Sequence, residues 1–240
     1  MSPSPEKGES PRWGRYGELR PKAIEAILDS CPVALVPWGA LEWHSLHAPI
    51  GLDSVKAQGI CEALAARCGG VVLPAIPMGV NTIKPFKGFP HCIDFPATVA
   101  SRVAEVICRQ LVDEGFRIII LFTGHYPPEQ IEALANGARA AAVDHLEAAI
   151  EVWSDLDFLG SDFKADHAGA TETSFQMHFA PGSVDLSALP DRELSLDEDG
   201  LTGEDPRRAS GERGRQQLEC VLERASARME ALIRKMDIRA

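Results

Sequence analysis

Apolar positions along this chain follow two rhythms. Helical spacing appears at 20–30 (RPKAIEAILDS), at 54–68 (SVKAQGICEALAARC), from about 98 to 115, over the Ala-rich stretch 128–147 and over 209–236. Between these lie short, unbroken apolar runs: PVALVPW at 32–38, GGVVLPAI at 69–76, FRIIILFTGH at 116–125 and AAIEVWSDLD at 148–157. A run that is apolar at every position, rather than at every second one, reads as a strand covered on both faces. Strands alternating with helices in this way predict an α/β fold with a parallel central sheet. ETSFQMHFA, at 172–180, is a further helix, and 181–208, acidic and rich in Pro and Gly, reads as an extended loop.

In such sheets, ligands bind beyond the carboxyl ends of the strands. The polar groups at 42–53, 125–126 and 155–172 all follow a predicted strand, so they can converge on one rim. The loop 39–52 carries the densest cluster, ALEWHSLHAPIGLDS at 40–54. Glu42 and His44 are two apart and point the same way in an extended segment, while Asp53 arrives with the next helix. Carboxylate plus imidazole without cysteine suits Zn²⁺, Mn²⁺ or Fe²⁺ at a reactive site. The plainer reading makes Asp53 a helix N-cap and leaves Glu42 and His44 as polar loop residues. His125 ends the strongest strand, followed by Tyr126, whose amide or hydroxyl can meet a substrate. DHAGATETS, at 166–174, adds His167 as a general acid/base candidate. Glu172 is either a ligand or a first-turn acid, and Thr171 or Thr173 is a candidate cap for that helix. Trp43, Tyr126 and Trp153 are equally readable as pocket or packing residues.

Composition narrows the partners. A formal net charge of -11 over 240 residues argues against nucleic acid or an anionic membrane. Six scattered cysteines in apolar surroundings read as buried thiols of a reducing compartment. MSPSPEKGESPRW has no apolar segment, so residues 1–14 are expected to be a disordered leader and 15–240 a single domain in a cytoplasmic protein. No GxSxG elbow, Walker-type loop or GxGxxG motif is present, and nothing near Cys92 suggests an activated thiol.

The spaced motifs resemble the creatininase family of amidohydrolases. GALEWHSLHAPIGLDS is similar to that family's E-x-H-G-x-H-L-P-x-x-x-D block, FTGHYPP to its strand ending in N-G-H, and HAGATETS to H-A-G-x-x-E-T-S. GEDPRRASGERG, at 203–214, resembles a further block, so the likeness runs in order from about 33 to 215. It implies a three-layer αβα sandwich, two divalent metal ions (zinc first, manganese or iron as alternatives) and a homo-oligomer, often a hexamer. By position, Glu42, Asp53 and His125 would hold one ion, and His44 with a bridging Asp53 the other. The carboxylate that completes the second site in creatininase falls here on Pro127, so Glu172 is the candidate replacement and Glu129 the second choice. Ser45, Thr123 and Ala97 also depart from the family pattern, which points to a different substrate within one chemistry. The expected reaction is hydrolysis of a small cyclic amide, formamide or similar C–N bond by a metal-activated water, with His167 protonating the leaving nitrogen. The competing expectation is a non-catalytic, metabolite-binding or regulatory relative.

Overall fold

The computed structural model describes residues 12–161 and 163–237. Most of the expected leader lies outside these residues, but its end does not behave as one: Trp13–Arg15 forms strand β1. After helix α1 (Pro21–Ser30) come β2 (Val33–Gly39), α2 (Leu52–Cys68), β3 (Gly70–Val72) and β4 (Ile76–Pro77). The predicted strand at 69–76 is thus two short pieces. Helices α3 (Ile83–Lys87) and α4 (Ala97–Asp113) precede β5 (Ile118–Thr123), followed by α5 (Pro128–Ala142) and β6 (Ala149–Ser154). The chain closes with α6 (Leu156–Leu159), α7 (Ala170–Phe179), α8 (Leu196–Asp199) and the long α9 (Gly211–Asp237). The acidic stretch expected as an extended loop contains α8 and two short 3-10 turns, one of them capped by Asp185.

The sheet order is β1-β3-β2-β5-β6, with β4 beside β2, and every pairing is parallel. Alternate residues of the central strands enter opposite cores. Val33, Leu35, Ile118, Ile120 and Phe122 pack against α2, α6, α7 and α9. Ala34, Val36, Trp38, Ile119 and Leu121 pack against α1, α4 and α5. Both faces are therefore buried, which is why the period-two pattern vanished from the sequence. The result is the three-layer αβα sandwich.

Connectivity fixes where a ligand belongs. From β2 the chain moves outward to β3, then returns to the other side of β2 for β5. A crevice opens at such a reversal, beyond the carboxyl ends of the two strands concerned. Two glycines let α2 press its first turn into that crevice. A Cβ at Gly39 would strike the Ser54 amide, and one at Gly124 would strike the Asp53 carbonyl.

Candidate metal centre

The crevice gathers the sequence motifs. Glu42 and His44 follow β2, His125 follows β5, Asp53 stands in the first turn of α2, and Glu172 in the first turn of α7. All five are buried. The N-cap of α2 is Gly51, not Asp53. As first-turn acids, Asp53 and Glu172 still gain from the positive end of a helix, so structural favour and a site role coincide.

Two clusters result, each with three donor atoms inside 4.8 Å: Glu42, Asp53 and His125, and His44, Asp53 and Glu172. Asp53 belongs to both. Its Oδ1 lies 3.3 Å from His44 Nε2, and its Oδ2 lies 3.4 Å from His125 Nδ1. Glu42 Oε2 is 2.9 Å from His125 Nδ1, and Glu172 Oε2 is 3.6 Å from His44 Nε2.

Backbone contacts fix which imidazole nitrogen is available. His44 Nδ1 donates to the Glu42 carbonyl at 3.0 Å, which leaves Nε2 facing the cluster. His125 Nε2 donates to the Val80 carbonyl at 3.1 Å, which leaves Nδ1 facing it. Glu42 Oε1 accepts the Ile83 amide. Glu42 Oε2, His44 Nε2 and Asp53 Oδ2 have no hydrogen-bond partner although fully buried. Three such orphaned polar atoms, buried in the same two clusters, are costly unless a cation meets them. The donor set, imidazole and carboxylate without thiolate, therefore fits divalent metal ions. Burial opposes charge on these groups, yet the Asp53 carboxylate lifts His44 to about 9, and the Glu42 carboxylate lifts His125 well above the usual imidazole range. Both histidines conversely hold Asp53 low against its burial. The pocket thus attracts positive charge.

His167 joins a third cluster with Glu42 and His44, its ring 4.7 Å from that of His44. It sits beside Ala168, which takes the left-handed conformation at φ 55°. Its Nε2 donates to the Trp43 carbonyl at 2.8 Å, so Nδ1 is the nitrogen left for chemistry. Tyr126 lines the pocket, and its hydroxyl donates to Glu172 Oε1 at 2.8 Å and lies 3.1 Å from the Asp166 carbonyl. Glu129 lies apart, its carboxylate accepting from Asn81 Nδ2 at an exposed contact. Trp43 stacks on Phe89 and donates to the Asp199 carbonyl, while Trp153 is buried in the core beneath α9, away from the pocket. Burial raises the Cys92 thiol, so no activated nucleophile stands there.

Three charged groups escaped the sequence reading. Lys56 is fully buried, 2.9 Å from Glu172 Oε1 and 3.7 Å from Asp155 Oδ1. Its signal was present: Leu52, Asp53, Lys56, Ala57 and Ile60 form one buried stripe of α2, and a lysine inside an apolar stripe needs an acid. Asp155 follows β6 directly, and burial lifts it to about 6 despite Lys56. Asp166 caps α7 by accepting the Thr171 and Glu172 amides at 2.7 and 3.1 Å, the task expected of Thr171 or Thr173. Burial, then the Glu172 charge, raises Asp166 to about 7.

The opening over the clusters has a volume of about 430 Å³ and is walled by Ile83, Phe86, Leu196, Asn81 and Thr202 as well as by the site itself. That volume suits a small ligand or the end of a peptide. No helix among the described residues is long and apolar enough to cross a membrane.

The chain is similar in sequence and fold to several known proteins. Creatinine amidohydrolase of Pseudomonas putida is 27% identical over 197 residues, 73% of this chain and 75% of that one. The mycofactocin precursor peptide peptidase of Mycobacterium ulcerans is 26% identical over 175 residues, 70% of this chain and 66% of that one. Among solved structures, a manganese form of creatininase superposes with a TM-score of 0.77 at 24% identity, covering 92% of this chain and 98% of that chain. A mutant creatininase of Zn-Zn type gives 0.78 at 22% identity, covering 93% and 98%, and these likenesses establish the shared fold. The creatininase family model, described as creatinine amidohydrolase, matches residues 17–229. With ordered motifs, fold and clustered ligands all in register across nearly the whole described chain, the protein belongs to the creatininase family.

Proposed function

We infer that the protein is a metal-dependent amidohydrolase that cleaves a C–N amide bond of a small substrate. Glu42, Asp53 and His125 would hold one divalent ion and His44, Asp53 and Glu172 the other, Asp53 belonging to both groups. The observation that carries this reading is the division of the Asp53 carboxylate, one oxygen toward each histidine. When bound, such ions supply an activated water and polarise the amide carbonyl.

The remaining steps fall to the chain itself. Ile83, Phe86 and Leu196 exclude solvent from one side of the pocket, and Asn81 and Thr202 offer polar contacts to the amide. No lysine or arginine lines the pocket among the described residues, so a carboxylate on the substrate would meet no permanently cationic side chain there. A neutral cyclic amide or formamide suits that lining. His167 has Nδ1 free, so it would take up the proton that the attacking water gives up and pass it to the leaving nitrogen, while the Trp43 carbonyl keeps Nε2 protonated and the ring fixed.

The test is metal counting on the purified chain, with turnover of a panel of lactams, formamides and C-terminal peptide amides. Two ions per chain, hydrolysis of one class and its loss in Asp53→Asn are expected. Asp53→Asn with unchanged hydrolysis sinks the reading. Two bound ions with tight metabolite binding and no turnover would instead assign the non-catalytic role.

A further inference from the structure

Glu172 has two oxygens with separate duties. Oε2 lies toward His44 and accepts the Ala168 amide at 2.9 Å, while Oε1 is held by Lys56 Nζ at 2.9 Å and by the Tyr126 hydroxyl at 2.8 Å. Lys56 is itself caged: its ammonium is 4.4 Å from the centre of the Tyr126 ring and 3.7 Å from Asp155 Oδ1, with no solvent exposure. Packing does not explain a lysine here, since a buried ion pair usually contributes no more stability than apolar side chains of similar volume. Neither does substrate contact, because Lys56 lies behind Glu172 and does not line the pocket.

We propose that Lys56 is a positioning residue for the second metal site: by occupying Glu172 Oε1 it leaves Oε2 as the single oxygen presented beside His44. This rests on the two-metal reading above. Lys56 stands one helical turn after Asp53, so α2 supplies both the bridging carboxylate and the anchor of the ligand opposite it. Charge balance follows from the same geometry, because Lys56 is offset by Asp155, which has no hydrogen-bond partner of its own. Lys56→Met therefore breaks two things at once, an anchor and a charge pair. Lys56→Met with Asp155→Asn breaks only the anchor, since one positive and one negative charge leave together.

The experiment loads the full chain with zinc at buffered free concentrations, counts ions by mass spectrometry and measures affinity by chelator competition, with thermal melting as the check on folding. Wild type is expected to bind two ions. Both variants are expected to bind one ion as wild type does and the other about 10–100-fold more weakly, the usual loss when a group that orients a ligand is removed. Simple repulsion between Lys56 and the ion predicts the opposite, tighter binding in Lys56→Met, and that result overturns the proposal. So does a double variant with both sites unchanged, or one in which both sites weaken equally. Should the single variant fail to fold, the charge-neutral double variant carries the same decision. A wild type that binds no ion fails the two-metal reading itself, a result distinct from any of these.

Discussion

Glu42 and His125 reach the centre from the ends of two adjacent strands, β2 and β5, whose register runs unbroken from Val33–Ile118 to Trp38–Thr123. Main-chain groups hold both of them: the Ile83 amide meets Glu42, and the Val80 carbonyl meets His125. The other half of the centre is built differently. Glu172 comes from α7, on the far side of a loop that includes the left-handed Ala168; the Ala168 amide meets its Oε2, but side chains alone hold its Oε1. Lys56, Tyr126 and the His47–Thr173 contact at 2.9 Å tie α7 to α2 and to the loop that carries His44. The comparison separates two ways of fixing a ligand. A strand end inherits its position from the sheet, whereas a helix brought in from elsewhere needs a web of buried polar contacts, and each member of that web is a point of failure.

The sharpest way to break the difference is at the shared residue. Asp53→Asn should abolish both ions and lower turnover by on the order of 10³-fold, as loss of a major electrostatic element does. Metal counting and steady-state kinetics check it, and retention of either ion at wild-type affinity would refute a shared role. Glu172→Gln should act on one half alone. One ion stays and the other is lost, with turnover down on the order of 10²-fold. Loss of both ions would show that the halves are not separable.

A subtler effect concerns the contacts holding α7. Burial lowers His47 from its ordinary value to about 4, so between about 4 and 6.5 the unfolded chain binds a proton that the folded chain does not. Stability from this group is therefore present above about 6.5 and is lost as pH falls through that window, by about 3 kcal/mol at most. Urea unfolding of His47→Gln should show a shallower fall from pH 7 to 4 than wild type. Parallel curves would exclude the effect. Smallest of all is Glu129→Gln, at an exposed carboxylate on α5 that accepts from Asn81. Ion content and turnover should stay within about twofold of wild type, as for a surface change.

Much of the first half was legible in the sequence because its residues lie beside strong strand signals. FRIIILFTGH announces both β5 and a histidine at its carboxyl end, and the rule that ligands bind at strand ends does the rest. Glu42 and His44 were equally plain from their spacing after PVALVPW. Glu172 was a choice between two acids that each open a helix, and nothing local separates it from Glu129. Lys56 went unread because helical periodicity scores a single charged residue in a stripe as noise. The cap of α7 went to Asp166 rather than to either threonine because the aspartate lies far enough ahead of the helix to fold its carboxylate back onto the amides of Thr171 and Glu172.

The chain by itself determined the alternation of strands and helices, the covered sheet and the residues waiting at its rim. These follow from local spacing and from a hydrophobic effect that has no direction. Only the tertiary structure decided which carboxylate completes the second cluster, which nitrogen of each histidine is free, and what neutralises a buried lysine. Those outcomes depend on distances of a few ångströms between residues more than a hundred positions apart, such as Lys56 and Glu172. Charge buried away from water is tolerated only where its partner lies within that reach.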